Sequence, residues 1–396
     1  MRVLLVNAHG SDLGQGGAEK YVRDLVAGLE QRGDAVEILA AFPPRVDGSN
    51  GEEHVLHPND WRESGVRRIR NHLGDLVCNP TSQLAAAVDE ARPDVVHTSN
   101  LPGITTALWE VCRRLGIPVV HTIHDYYLLC PRVTLQERDG TPCCRHRTFC
   151  RVRTARLARW SGAVREVIAV SDHVRRRHES VLPDARFHVV RIPVAPLAGE
   201  PLRPPRTPPR TIGYLGTLGQ MKGVAYLVEA APRLAALGYS VQVAGEGRLR
   251  PLVEAAAARG ELRYVGAVHG EGKRRFVEST DLAVLPSTWE EPGAPPYAVA
   301  EWLAAGRPIL VSRRGGLEEV AHQLPGAVAM ESGTVGIVEA AGALAAEERW
   351  RELVASIPTA DQRAIDEWVD RHRDIYGLAA AGALGGPDGR LRTSAR

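Results

Sequence analysis

Pro193-Val-Ala-Pro-Leu-Ala-Gly-Glu-Pro-Leu-Arg-Pro-Pro-Arg-Thr-Pro-Pro209 divides the chain into two similar halves. Proline locks φ and lacks an N–H, so a run this dense can join neither a helix interior nor a central strand. It reads as a semi-rigid linker. Before it, residues 3–7, 36–40, 95–97, 119–123 and 167–170 are brief runs rich in β-branched residues with polar or glycine neighbours. After it the pattern restarts at 211–215, 241–244, 282–285 and 309–311. Strands buried on both faces of a parallel sheet carry this signature. Amphipathic stretches separate them. Residues 18–32 place Val22, Leu25, Val26 and Leu29 at helical spacing, with Gly33 as the stop signal, and residues 224–237 follow the same rule.

Strands alternating with helices predict a doubly wound sheet, here duplicated although no internal sequence repeat accompanies it. The predicted organisation is an N-terminal Rossmann-like domain over 1–193, a linker over 194–209 and a second Rossmann-like domain over 210–360. A helix over 361–378 follows, and the Gly-, Ala- and Arg-rich residues 379–396 are expected to fray. In that helix Ile365, Trp368, Val369, His372 and Tyr376 fall on one face.

The bulk properties exclude more than they identify. A chain of 396 residues exceeds one ordinary core. A net charge of +2 favours no polyanion, so nucleic acid is not an expected partner. No run reaches eighteen apolar residues, and residues 1–7 read as a first strand, too short for a signal segment. A cytoplasmic location is the expectation. The thiols Cys130, Cys143, Cys144 and Cys150 lie near His146 but match no common zinc spacing, so no metal site is expected. Residues 145–165 carry Arg145, Arg147, Arg151, Arg153, Arg156, Arg159 and Arg165, which suits either a solvated face or peripheral contact with an anionic membrane. Only Lys20, Lys222 and Lys273 are lysines, leaving 49 − 3 = 46 arginines. A lysine that persists against that bias marks a place that needs a compact ammonium.

Two doubly wound halves present the carboxyl ends of their strands to a shared crevice, where ligands bind in such folds. Gly14-x-Gly16-Gly17 follows the first strand and opens the first helix, letting backbone amides approach a phosphate or sugar. No further glycine completes a dinucleotide fingerprint. In Gly213-Tyr-Leu-Gly216-Thr217-Leu-Gly-Gln-Met-Lys222-Gly223, a strand ends in glycine and Lys-Gly opens the next helix. That aims an ammonium and a helix dipole at one place, which suits a diphosphate. Trp289-Glu290-Glu291-Pro-Gly-Ala294-Pro295-Pro296-Tyr297-Ala-Val-Ala-Glu301 follows another strand. Glu301 sits in the first turns of a helix, where a carboxylate can accept both hydroxyls of a ribose.

With Gly16-Gly17-Ala18-Glu19, His124-Asp125, Lys222-Gly223, Gly245-Glu246-Gly247, Glu291…Glu301 and Gly315-Gly316-Leu317-Glu318-Glu319, the chain resembles the retaining glycosyltransferases of family four over residues 1–376. The resemblance implies the GT-B fold, two Rossmann-like domains facing across a cleft, with the C-terminal helix crossing back to the N-terminal domain. It implies transfer of a hexose or amino sugar from a nucleoside diphosphate to an acceptor hydroxyl on a small molecule, glycan or lipid intermediate. UDP or GDP is the favoured nucleotide, and no cofactor or metal ion takes part. His124 and Glu291 are then the residues at the reacting sugar. Gly16, Gly17, Gly216, Thr217, Lys222, Gly245, Ala294, Pro295, Pro296, Tyr297 and Glu301 are expected on the donor side. Asn100, Asp125, Tyr126 and Tyr127 are expected on the acceptor side.

Two departures stand out. Nine residues separate Glu291 from Glu301 where the family has seven, which reads as an expansion around Pro295-Pro296, with Glu290 as the other candidate first glutamate. Thr217 stands where the family often has an arginine. A sugar-nucleotide epimerase and a non-catalytic nucleotide-sugar-binding protein are the alternative functions on the same architecture.

Overall fold

A computed structural model describes residues 1–9, 16–42, 53–55, 81–137, 140–143, 148–197, 199–200 and 202–384. Its first half is a seven-stranded parallel sheet in the order β3-β2-β1-β4-β5-β6-β7. The strands are β1 (Arg2–His9), β2 (Ala35–Phe42), β3 (Glu53–Val55), β4 (Val95–Thr98), β5 (Val119–Ile123), β6 (Val164–Ala169) and β7 (Arg186–Val189). Helices α1 (Gly17–Gln31), α2 (Thr81–Ala91), α3 (Ala107–Leu115), α4 (Thr148–Ala158) and α5 (Asp172–His178) flank it.

The second half repeats the plan in a six-stranded sheet, β10-β9-β8-β11-β12-β13. Its strands are β8 (Thr211–Leu215), β9 (Ser240–Ala244), β10 (Arg263–Tyr264), β11 (Leu282–Leu285), β12 (Ile309–Ser312) and β13 (Ala327–Met330). Helices α6 (Val224–Ala236), α7 (Arg250–Ala258), α8 (Gly270–Glu278), α9 (Tyr297–Ala304), α10 (Gly316–Gln323), α11 (Thr334–Ala343) and α12 (Glu347–Ser356) surround it. In both sheets the order reverses beside the first strand of the half, between β1 and β4 and between β8 and β11. Those switch points open the crevice at the carboxyl ends of the strands.

The linker is less free than its composition suggests. Asp281 accepts hydrogen bonds from the amides of Arg206, Arg210 and Thr211, the Trp350 indole donates to the Arg206 carbonyl, and Arg307 donates to the carbonyl of Arg203. Residues 203–210 are thus fastened to the second half.

Helix α13 (Arg363–Leu384) crosses back to the first half and continues past residue 378, where fraying was expected to begin. Trp368, Val369, Ile375, Tyr376 and Ala379 are buried in the same core as the strands of the first sheet. The Trp368 and Tyr21 rings meet edge to face at 4.8 Å. A methyl group on Gly28 of α1 would lie 2.3 Å from Val369, so a glycine lets the two helices touch. At the rim, Arg32 pairs with Asp366 at 3.2 Å and with Asp370, and Arg373 pairs with Asp34 at 2.8 Å. The duplicated sheets and the returning helix are the GT-B architecture. Among the described residues, no helix is long and apolar enough to cross a membrane.

Candidate active site

Lys222 enters the cleft from the end of a 3₁₀ turn, residues 220–222, that leads into α6. Gly223 closes the turn at φ 69°, and a Cβ there would fall 1.7 Å from the Pro286 carbonyl oxygen, so only glycine fits. The close approach aims Lys222 at the loop after β11. Its Nζ is 2.6 Å from Glu291 Oε1 and lies over the Trp289 ring. Ser287 donates to the same carboxylate oxygen at 2.9 Å, and the Glu291 side chain is only 4% exposed. A buried carboxylate needs such partners. Glu290 turns the other way, taking both hydrogen bonds of Arg177 NH2 at 2.7 and 2.6 Å and facing His173 at 3.2 Å. Those contacts hold its carboxyl below the usual range. Glu291 is therefore the member of the pair that meets the cleft lysine.

Glu301, in the second turn of α9, pairs with Lys273 of α8 at 2.8 Å. Lys20 of α1 pairs with Asp24 at 3.1 Å and lies 4.8 Å from the centroid of the Tyr297 ring, whose hydroxyl donates to Asp24 at 2.9 Å. All three lysines of the chain thus stand at the acidic-motif segment or the helix it opens. Their rarity was the available signal for Lys20 and Lys273; Lys20 meets Asp24 one turn along α1, but only tertiary structure pairs Lys273 with Glu301.

Other donor-side candidates are distributed around this centre. A Cβ on Gly17 would be 3.7 Å from the Tyr297 ring, which brings the glycine turn of the first half against the start of α9. Gly14 and Gln15 lie outside the described residues. Gly245, at φ 139°, sits where a Cβ would be 1.8 Å from the Gly216 carbonyl, so the turns after β8 and β9 touch. Thr217 is exposed beside them, its carbonyl held by the Tyr214 hydroxyl at 2.7 Å. The loop 294–297 offers fewer amide donors than its length implies. Pro295 and Pro296 have none, and the Ala294 amide donates to Val170 O at 3.3 Å. Tyr297 and Ala298 carry the first amides of α9, where a helix has no internal acceptor for them.

His124 follows β5 at the cleft edge. Its ring meets Tyr21 edge to face at 4.3 Å, and its buried Nε2 has no partner. Burial, with His121 and His372 nearby, pushes its pKa down to about 3, so the imidazole stays neutral. It can exchange hydrogen bonds with a sugar but carries no charge to it. His121 is a core residue, its Nδ1 3.0 Å from Thr98 Oγ1. Burial lifts the Asp125 carboxyl to about 6, against the pull of the Tyr127 amide and Arg153. Asn100 has a buried Oδ1 without a partner. Tyr126 is fully buried, and its hydroxyl donates at 3.0 Å to the Glu290 carbonyl, stitching the halves together. The Tyr127 ring lies 4.8 Å from the Arg153 guanidinium.

Further stitches were not legible beforehand. Glu319 accepts from the amides of Asp172 and His173 at 3.2 and 3.0 Å, capping α5 of the opposite half, and also pairs with Arg191. Ser171 donates to the Pro292 carbonyl. Arg153 is buried and donates to Tyr127 O, whereas Arg151, Arg156, Phe149 and Val152 are exposed on α4. Cys143 Sγ lies 3.4 Å from Glu137 Oε1, and Cys144, Arg145 and His146 fall outside the described residues. No group of three His, Cys, Asp or Glu side chains among the described residues is placed to hold a metal ion.

Residues 15–196 match Glycosyltransferase Family 4, and residues 209–347 match Glycosyl transferases group 1. Together the two matches show a glycosyltransferase of the family-four type. It is 28% identical over 353 residues to the 2-deoxystreptamine N-acetyl-D-glucosaminyltransferase of Streptomyces fradiae, covering 81% of each chain. Its fold resembles sucrose-phosphate synthase from Thermosynechococcus elongatus, with a TM-score of 0.66 at 17% identity, covering 95% of this chain and 99% of that one. It also resembles the Anabaena protein HepE in complex with UDP, with a TM-score of 0.59 at 14% identity, covering 94% of this chain and all of that one. This glycosyltransferase therefore has its cleft, its lysines and its acidic motif on the scaffold of its family.

Proposed function

We propose that this glycosyltransferase moves a sugar from a nucleoside diphosphate to an acceptor hydroxyl with retention of anomeric configuration and without a metal ion. The observation that carries the reading is the pairing of two cleft lysines with the two acidic-motif glutamates, Lys222 with Glu291 and Lys273 with Glu301. An incoming diphosphate competes for Lys222, and the ribose hydroxyls compete for Glu301. Glu291, held by Ser287 and freed from Lys222, then turns its carboxylate toward the sugar, with neutral His124 opposite. The bond from the anomeric carbon to the diphosphate oxygen breaks, and a bond to the acceptor oxygen forms on the same face. The acceptor proton passes to a phosphate oxygen, and the nucleoside diphosphate leaves. The helix start at Tyr297 and Ala298 supplies amides and a positive dipole to that leaving charge. UDP and GDP are the favoured nucleotides, and HepE, of similar fold, is known in complex with UDP.

Thermal shift against UDP, GDP, ADP and dTDP tests this directly, because a ligand that binds only the folded state raises the midpoint. At least one of them is expected to stabilise the native chain. Lys222→Ala should weaken that nucleotide by about 1.5–3 kcal/mol, the scale of a hydrogen bond to a charged group. No shift with any nucleotide overturns the reading; an equal shift in native chain and variant overturns the placement of the diphosphate. Transfer activity is also expected to survive EDTA, since lysine and helix dipole carry the phosphate charge. Complete loss of turnover restored by magnesium or manganese would sink the metal-free mechanism.

A further inference from the structure

His178 closes α5 at a place the cleft chemistry above does not use. The residue is fully buried, its ring stacked 6.0 Å from that of Tyr126 at an interplanar angle of 9°. Its Nδ1 lies 2.9 Å from the Val174 carbonyl oxygen, which can only accept, so the proton sits on Nδ1. Nε2 is then a bare lone pair, buried and without a partner. A buried acceptor left unmatched is costly, so it calls for a group to satisfy it.

His178 lines a recess of about 210 Å³, counting the space at its mouth, together with Ser99, His121, His124, Asp125 and Tyr127. Most of that is open space at the mouth, and the enclosed part has room for about one water-sized group, so it suits a single substituent of a ligand. Every residue lining it belongs to the first half of the chain, across the cleft from Lys222 and Glu301. It offers the His178 lone pair, Asp125, one of whose oxygens already takes the Tyr127 amide at 2.7 Å, and the unpartnered Nε2 of His124. An apolar chain would leave all of these unsatisfied.

We propose that this recess is an acceptor subsite that takes one hydrogen-bond-donating group, hydroxyl or ammonium, of a polyhydroxylated or amino-substituted ring, with His178 Nε2 as the residue that reads it. The inference rests on the glycosyltransfer reading above and narrows its acceptor from lipid to polar ring. Tyr126 couples the subsite to closure, because the ring stacked on His178 carries the hydroxyl that holds the Glu290 carbonyl.

Saturation-transfer NMR with glucosamine, myo-inositol and 2-deoxystreptamine, each in the presence of UDP, tests the subsite on the native chain, His178→Phe and His178→Gln. Thermal shift with UDP alone reports in each case that the protein is folded and the donor side intact. At least one ring compound is expected to bind the native chain, about tenfold more weakly to His178→Phe, with partial recovery in His178→Gln, whose amide oxygen can accept in the same place. Asp125→Asn should weaken the amine-bearing compounds more than myo-inositol if an ammonium occupies the recess, and both alike if a hydroxyl does. Binding that is equal in native chain and His178→Phe, or absent while UDP still binds, overturns the subsite. If His178→Phe instead weakens a UDP-sugar but not the free rings, the recess holds the donor sugar and the acceptor assignment is overturned. Failure of UDP and the other nucleotides to bind at all overturns the glycosyltransfer reading itself.

Discussion

Between pH 7 and pH 5 this protein should lose most of its stability. His97, His121, His178 and His372 are buried, and burial drives their pKa values down, His97 well below the ordinary value, His121 to about 3, His178 and His372 to about 4. All four stay neutral in the folded chain at pH 5, while in the unfolded chain they take up protons as the pH falls below about 6.5. The unfolded state then binds more protons, so stability present above pH 6.5 drains away as the pH falls. His121, His178 and His372 each cost about 2 kcal/mol at pH 5, roughly 6 kcal/mol together, and His97 adds to the loss in the same direction, against a typical total of about 5–15. Asp125 works in the other direction. Its pKa is raised to about 6, so the folded state binds the extra proton and recovers about 1 kcal/mol near pH 5. The histidines win. Urea midpoints measured at pH 7.5, 6.5, 5.5 and 5.0 should fall steeply below 6.5, and a midpoint flat across that range would refute the neutral cluster.

The same histidines mark the border of what the sequence discloses. The periodicities of 22, 25, 26 and 29 in α1 and of 365, 368, 369, 372 and 376 in α13 identify buried faces, because burial on a helix repeats every 3.6 residues. They do not reveal that Tyr21 and His372 bond to each other, or that His97 bridges Tyr376 at 2.7 Å and Thr122 at 2.6 Å. Two of those three pairings join residues hundreds of positions apart. The strands missed, β3, β7, β10 and β13, are outer strands of two to four residues, too short for a pattern to rise above its neighbours. Glycines at 216, 223 and 245 mark loops of close approach, and the structure shows the atoms they approach. Lysine scarcity pointed to three positions and the acidic motif to Glu301, yet the pairing of Lys273 with Glu301 became visible only after folding. The linker is a different case. Proline density reports stiffness, and nothing in it reveals that Asp281 binds the Arg206 amide and, just past the linker, those of Arg210 and Thr211.

Deleting residues 367–384 should unfold the first half of the chain while leaving the second half's strands protected. The deletion removes Trp368, Val369, Ile375 and Tyr376, all buried in the first half's core, while neither cluster of the second half contains a residue of α13. At about 1.5–3 kcal/mol for each large apolar side chain, their loss amounts to roughly 6–12 kcal/mol, comparable with the whole stability of an ordinary domain. Polar damage adds to it. His97 loses its bond to the Tyr376 hydroxyl and Tyr21 its bond to His372, leaving buried groups unsatisfied. Asp34 keeps the N-terminal ammonium at 2.7 Å after Arg373 is gone, so that rim contact matters less. A milder version, Trp368→Ala, should cost about 3–5 kcal/mol, the range for emptying a large aromatic site. Hydrogen exchange resolves the halves: amides of β4 and β5 should lose protection in both variants, while those of β8 and β11 change far less. Unchanged protection in β4 and β5 would mean that the crossing helix rests on the first half without holding it. Matching loss in β8 and β11 would mean that the halves unfold as one unit, coupled through the Tyr126–Glu290 and Glu319–Asp172 stitches more strongly than through α13.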